Sequence, residues 1–292
     1  MNKSNNKALI QAGLCAAVIA LLTACTVLFI FMNKHIRTLN DRLAKAQAYS
    51  AQIESELSEL KESYDALKGE YAELEKTKAE EKNARIVYLT FDDGPSENTV
   101  KILDILDAYN IKATFFVIGN ESDSAAEIYR RLVLDGHAVG NHTYSHEYHD
   151  IYSSTEKFWE EYQKNDDLFF EITGSHLNIL RFPGGSNNTV SERYRKGIMS
   201  VLTKQAQDKG IVYFDWNVSS RDAEKVLQNK NVIINTVLEE CKDKKSSIVL
   251  MHDNNTKSTT VEALPVIIEE LKKQGCIFKT LNENVEPIQF LK

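Results

Sequence analysis

The sequence predicts an α/β fold, a distorted (β/α) barrel of about seven strands, preceded by a transmembrane helix and a coiled-coil stalk. Three observations predict it. From Arg85 onward, short apolar runs of β-type residues alternate with amphipathic helical stretches. Residues 8–32 contain no charged side chain. Residues 36–74 repeat apolar side chains at alternating spacings of three and four. The segments so defined are 1–34, an N-terminal anchor; 35–84, the stalk and a linker; and 85–292, one globular domain.

The anchor comes first. At about 1.5 Å per helical residue, the uncharged run is long enough to cross a hydrocarbon core of about 30 Å. Lys3 and Lys7 precede it, as in a signal sequence or signal anchor. Lys34, Arg37, Arg42 and Lys45 follow it, so charge bias alone leaves the orientation open. Leu22-Thr23-Ala24-Cys25 also resembles a bacterial lipobox, with Cys25 as the lipidated residue. The chain stays apolar from Thr26 to Met32, where a lipidated cysteine would need a polar tether, which favours an uncleaved single-pass anchor.

In the stalk the core positions are Ile36, Leu39, Leu43, Ala46, Ser50, Ile53, Leu57, Leu60, Tyr64, Leu67, Tyr71 and Leu74, the period of a left-handed coiled coil. As a helix this stretch spans roughly 60 Å. Ala46 and Ser50 are weak core seats. Glu56 and Lys61 attract across a parallel pair, whereas Glu70 and Glu75 repel. A parallel homodimer is the favoured reading; a solvated single helix acting as a spacer is the alternative. Residues 77–84 are a charged linker.

In the globular part the strands are expected at 86–91, 113–118, 138–140, 178–182, 211–217, 247–252 and 276–281. Helices are expected near 97–109, 124–135, 154–172, 191–209, 222–242 and 259–274. In such a sheet, chemistry sits at the C-terminal strand ends. Asp92, His142, Arg181, Trp216 and His252 all fall there. A net charge of −7 argues against nucleic-acid binding, which needs a basic face. The four cysteines form no CxxC pair. Cys241 and Cys276 either pair or, as the preferred reading, remain buried thiols.

Four motifs carry candidate chemistry. Thr90-Phe91-Asp92-Asp93-Gly94-Pro95 ends the first strand in a sharp turn, so its two carboxylates point apart. His142-Thr143-Tyr144-Ser145-His146 places two imidazoles four residues apart, on one face if the segment turns as a helix. Together they offer an Asp-His-His set for Zn²⁺ or a similar divalent ion and leave one carboxylate over. His149 is set aside as a surface residue. Arg181-Phe182-Pro183-Gly184-Gly185-Ser186 offers a guanidinium to orient Asp92 and glycines whose N–H groups can approach an oxyanion. Leu250-Met251-His252-Asp253 ends a strand with a histidine suited to general-acid work. Each motif alone is equally at home in a structural turn; their order is what is specific.

In that order, across about residues 85–285, the segments resemble the polysaccharide deacetylases, the NodB-homology group or carbohydrate esterase family four. The resemblance implies Asp93, His142 and His146 as metal ligands, with zinc first and cobalt, nickel or manganese as alternatives. It implies Asp92 as general base, Arg181 as its tether and His252 as general acid. The Gly184 N–H would help stabilise the oxyanion, and Trp216 and Leu250 would wall the acetyl pocket. One departure follows the tryptophan: the earlier acidic slot holds Ser219, and Asp222 holds a later one, leaving open which group tunes His252. The implied activity is hydrolytic N-deacetylation of an extracellular N-acetylhexosamine polymer, first of all the N-acetylglucosamine of peptidoglycan. Chitin oligomers, an exopolysaccharide or O-acetylated xylan are alternatives, and a catalytically inactive wall-binding scaffold is the rival class.

Overall fold

The structure is a computed structural model that describes residues 3–291. The chain divides into two compact units, Met1–Lys78 and Ala79–Lys292. Helix α1 (Lys3–Asn83) runs without a break through the expected anchor and stalk. No proline interrupts these residues, and helix formers such as Ala, Leu, Glu and Lys dominate the second half. Among the described residues it carries the one segment long and apolar enough to cross a membrane. Ile36, Leu39, Leu43, Ile53, Leu57, Leu60, Tyr64, Leu67, Tyr71 and Leu74 are all exposed.

The second unit is a curled, all-parallel sheet. Its strands are β1 (Arg85–Asp92), β2 (Thr114–Val117), β3 (Ala138–Asn141), β4 (Ile179–Leu180), β5 (Val212–Tyr213), β6 (Val218–Ser219), β7 (Ser246–His252) and β8 (Cys276–Phe278). The order is β5-β4-β3-β2-β1-β7-β6, with β8 on β1. One edge of β1 pairs with β7 over Ile86 to Asp92. The other edge is shared: β8 takes Arg85 to Val87 and β2 takes Thr90 to Asp92.

Strand periodicity sorts the side chains. Val87, Leu89 and Phe91 face outward into the main core, which they share with α2 (Glu97–Ala108), α3 (Asp123–Leu134), α7 (Lys230–Cys241) and α8 (Ser258–Lys273). Tyr88 faces inward with Phe116, Ile179, Phe214, Ile248 and Leu281. A further cluster joins α4 (Tyr148–Ile151), α5 (Thr155–Thr173) and α6 (Ile198–Asp208) to Leu180, Phe182 and Tyr213. Counting in twos from Tyr88, Ile179 and Ile248 brings Asp92, Arg181 and His252 to the inner face at the C-terminal ends.

Three sequence expectations change. The strand expected at 211–217 shrinks to β5, β6 begins one residue beyond it, and no pairing joins the two, so the barrel is open there. Backbone groups in the gap find other partners, as buried polar groups must. Arg181 donates to the carbonyls of Phe214 and Asp215 at 3.0 and 3.2 Å, and Asp215 N–H donates to Ile288 O at 2.8 Å. The helix expected at 191–209 begins as a 3₁₀ turn, Ser191–Arg193, and α6 starts only after left-handed Gly197. The helix expected at 222–242 likewise opens with a 3₁₀ turn, Asp222–Glu224, and resumes at the Asn229 cap of α7. Cys241 and Cys276 are free, buried thiols.

Leu89 has no exposed surface on the central strand. Leu89→Ala should therefore cost about 2–5 kcal/mol in urea denaturation; a loss below about 1 kcal/mol would contradict this packing.

Candidate active site

Arg181 directly follows β4 and is fully buried. A buried guanidinium is tolerated only when its donors are paired. Its Nη1 donates to Asp92 Oδ1 at 2.8 Å and to Thr90 Oγ1 at 2.6 Å, and its other nitrogens take the two carbonyls in the barrel gap. Asp92, the last residue of β1, is thus clamped from the β4 side. Its registered neighbour on β7 is His252.

The next residue leaves the strand in the left-handed region (φ 76°), and both carboxylates stay near His142 Nε2, Asp92 Oδ2 at 3.8 Å and Asp93 Oδ1 at 3.6 Å. Asp93 Oδ2 accepts a hydrogen bond from Asn254 Nδ2 at 3.1 Å. Oδ1 is buried and has no hydrogen-bond partner among the described residues. It faces His142 Nε2 at 3.6 Å and His146 Nε2 at 3.5 Å. His142 Nδ1 lies 2.7 Å from the Arg181 carbonyl. A carbonyl only accepts, so Nδ1 carries the hydrogen and the Nε2 lone pair turns toward Asp93. One donor atom from each of Asp93, His142 and His146 falls within 4.8 Å of the others.

Electrostatics match that geometry. Burial alone would raise the Asp93 carboxyl, but His142, His146, His252 and the Asn254 amide hold it below the usual range. Burial, reinforced by His142, pushes His146 down to about 4, against the pull of Asp93 and Asp92. The cluster therefore offers an anion and a neutral imidazole at neutral pH, as a divalent ion requires. A buried, orphaned carboxylate oxygen facing two imidazoles fits such an ion and leaves an unsatisfied group without one.

The two histidines do not share a helical face, contrary to the spacing argument. Thr143 and His146 both have positive φ (67° and 57°), and the segment between β3 and α4 is a loop. Asn141 Oδ1 accepts from Thr143 N–H, and Glu161 Oε2 from Ser145 N–H, each at 2.8 Å. These two side chains shape the loop, and nothing in the local sequence marks them. His149 is well exposed and pairs with Asp150 at 3.4 Å, away from the cluster.

His252 ends β7. Its Nδ1 and backbone N–H both bond Asp222, each at 2.8 Å, and Thr260 Oγ1 donates to the same carboxylate at 2.9 Å. Ser219, the earlier slot, instead offers its N–H to Glu240. Burial pulls the His252 imidazole down, but the Asp222 hydrogen bond and charge, with Asp93 and Asp92 beyond, lift it to about 9.

Gly184 and Gly185 both have positive φ (78° and 85°). A Cβ at 184 would sit 2.6 Å from the Tyr148 hydroxyl, and one at 185 would sit 3.0 Å from the Trp216 ring. The Gly184 N–H makes no hydrogen bond among the described residues. Leu250 is buried one inward step before His252. Two residues near the site carried no assigned role in the sequence. Asp253 is buried, takes the Thr99 hydroxyl at 2.5 Å, donates its N–H to the Asp92 carbonyl at 3.1 Å, and would lie 2.4 Å from a Cβ at Gly94. Burial pushes its carboxyl up to about 7. Tyr148 packs against both His146 and Gly184. Proximity to His252 and His146 in the chain is the only sequence signal either residue carries.

A sequence profile described as polysaccharide deacetylase matches residues 79–198. The chain is 36% identical over 211 residues to a peptidoglycan-N-acetylglucosamine deacetylase of Bacillus cereus, covering 69% of this chain and 88% of that one. It is 34% identical to a bifunctional xylanase/deacetylase of Pseudobutyrivibrio xylanivorans, covering 70% of this chain and 31% of the relative. The crystal structure of the catalytic domain of peptidoglycan N-acetylglucosamine deacetylase from Eubacterium rectale superposes with a TM-score of 0.68 at 36% identity, covering 72% of this chain and 94% of that one. The chain belongs to the polysaccharide deacetylase family. It is an enzyme of the class that hydrolyses acetyl amides.

The Asp222–His252 pair has a pH signature. Because the folded-state value lies above the ordinary ~6.5, the pair's contribution to stability is complete below that value and is lost as pH rises through about 9. In Asp222→Asn, the His252 titration followed by NMR should move well below 9. An unchanged midpoint would exclude Asp222 as the cause.

Proposed function

We propose that this chain is a divalent-metal-dependent N-deacetylase that releases acetate from N-acetylglucosamine in peptidoglycan outside the cell. The observation that carries the reading is the division of labour between adjacent carboxylates. Asp93 turns its orphaned oxygen to His142 and His146, while Asp92 is held by Arg181 beside His252. Asp93, His142 and His146 would hold the ion, most simply zinc. When bound, such an ion supplies a Lewis acid that polarises a carbonyl and makes water more acidic.

The chain's own residues supply the rest. Asp92 accepts the proton of the attacking water, and Arg181 keeps it aimed. The Gly184 N–H donates to the oxygen that gains charge. As the carbon–nitrogen bond breaks, the proton on His252 Nε2 passes to the leaving nitrogen, giving acetate and a free amine. Asp222 holds Nδ1, which leaves Nε2 as the donating atom. Leu250 and Trp216 wall the space for the methyl group.

Peptidoglycan is favoured because relatives covered over most of their length are named for it. The xylanase/deacetylase relative keeps acetylated xylan as a second reading, with chitin oligomers and exopolysaccharide in the same acetylated-glycan class. The apolar half of α1 serves as a single-pass anchor, and the exposed heptad seam serves as a parallel dimer contact.

Acetate release should be detected from N-acetylglucosamine polymers, stop with a chelator and return with Zn²⁺. Absence of release from peptidoglycan, chitin oligomers and acetylated xylan alike would sink the reading. Asp93→Ala should lose metal, whereas Asp92→Asn should keep metal and lose about 10²-fold or more in turnover. A peptide of residues 36–84 should sediment as a helical dimer; a monomer at high concentration would exclude the stalk contact.

A further inference from the structure

We propose that Tyr148 is a further catalytic residue, whose phenol O–H donates a hydrogen bond to the carbonyl oxygen of the acetamido group as that oxygen gains negative charge. This rests on the deacetylase reading above. The proton stays on the phenol throughout, so the residue stabilises charge and transfers nothing.

Three observations converge. The first is position. The Tyr148 ring packs edge-on against His146, with centroids 5.5 Å apart, and against Tyr152 at 5.6 Å. Tyr152 in turn donates its hydroxyl to the Pro183 carbonyl at 2.7 Å. Tyr148 is therefore wedged between a candidate metal ligand and the turn that carries Gly184.

The second is the state of its hydroxyl. Tyr129, Tyr152, Tyr162 and Tyr213, packed in the same domain, each give their O–H to a backbone carbonyl. The Tyr148 hydroxyl makes no hydrogen bond among the described residues, and neither Asp92 nor Asp93 accepts it. The phenol is half-buried with its oxygen open to solvent, so with no protein acceptor it is free to donate to one that arrives.

The third is Gly184. Its N–H is also unpartnered, and the Tyr148 hydroxyl fills the space where a side chain at 184 would project. Two free donors therefore lie beside the metal-ligand cluster, from different elements. A glycine at 184 serves both, since a left-handed backbone admits it and the phenol needs the room.

The test is steady-state acetate release from an N-acetylglucosamine oligomer by the full chain and by Tyr148→Phe, with Zn²⁺ affinity measured by calorimetry on both. The expected result is a fall in kcat of about 10²-fold, with KM and Zn²⁺ affinity little changed. Unchanged kcat, or a raised KM with kcat intact, overturns the inference while the deacetylase reading stands. Loss of Zn²⁺ binding or of folding in Tyr148→Phe also overturns it, by making the hydroxyl structural. A wild-type chain that releases no acetate refutes the functional reading itself, and the inference falls with it.

Discussion

A guanidinium with no exposed surface lies between two strands and the break in the sheet, and its charge has to be answered by the protein alone. Arg181 meets Asp92 and Thr90 from β1 and the carbonyls of Phe214 and Asp215 from the gap. Removing one member of such a buried pair typically costs 3–5 kcal/mol, because the other charge is left unanswered. The same group thus joins three parts of the fold and aims Asp92. Its own backbone carbonyl, 2.7 Å from His142 Nδ1, also selects the tautomer that turns Nε2 toward Asp93. Fold and site share one anchor.

The open side of the barrel lies beside that anchor. A closed sheet would leave the carbonyls at 214 and 215 paired to a neighbouring strand. Here the arginine occupies them, and the Asp215 side-chain carboxylate separately takes the Phe290 N–H at 2.7 Å, the Ser186 N–H at 2.8 Å and the Ser186 hydroxyl at 2.6 Å. Asp215 therefore ties the glycine turn to the last residues of the domain. Across β1, Asp222 does comparable work for His252, held by Thr260 and by Lys257 Nζ at 3.0 Å from its carbonyl. The two networks put an oriented carboxylate and an elevated imidazole on adjacent strands in direct register.

Strand parity was readable in the sequence, because a period of two is a property of any strand. Once the runs at 86–91, 178–182 and 247–252 are read as strands, Asp92, Arg181 and His252 must share a face with Tyr88, Ile179 and Ile248. The starts of α2, α3 and α5 carry a similar local signal: Ser96, Ser122 and Ser154 each cap a helix by accepting a nearby backbone N–H. The loop joining His142 to His146 was not readable. Its backbone is held at Thr143 by Asn141 and at Ser145 by Glu161 from α5, and spacing alone cannot distinguish that arrangement from a helical turn. Nor could the break at 214–217 be seen, since its backbone partners, the Arg181 side chain and Ile288, lie far away in the sequence.

By itself the sequence determined the alternation of elements, the ordered motifs and the residues able to carry metal, base and acid chemistry, because residue type and period are local quantities. Only the tertiary structure decided how those residues meet. It selected Asp222 over Ser219 as the partner of His252, left one oxygen of Asp93 without a bond, opened the sheet beside Arg181 and brought Tyr148 against Gly184. Each of these depends on which backbone groups are already satisfied by distant parts of the chain, and no window of neighbouring residues contains that information.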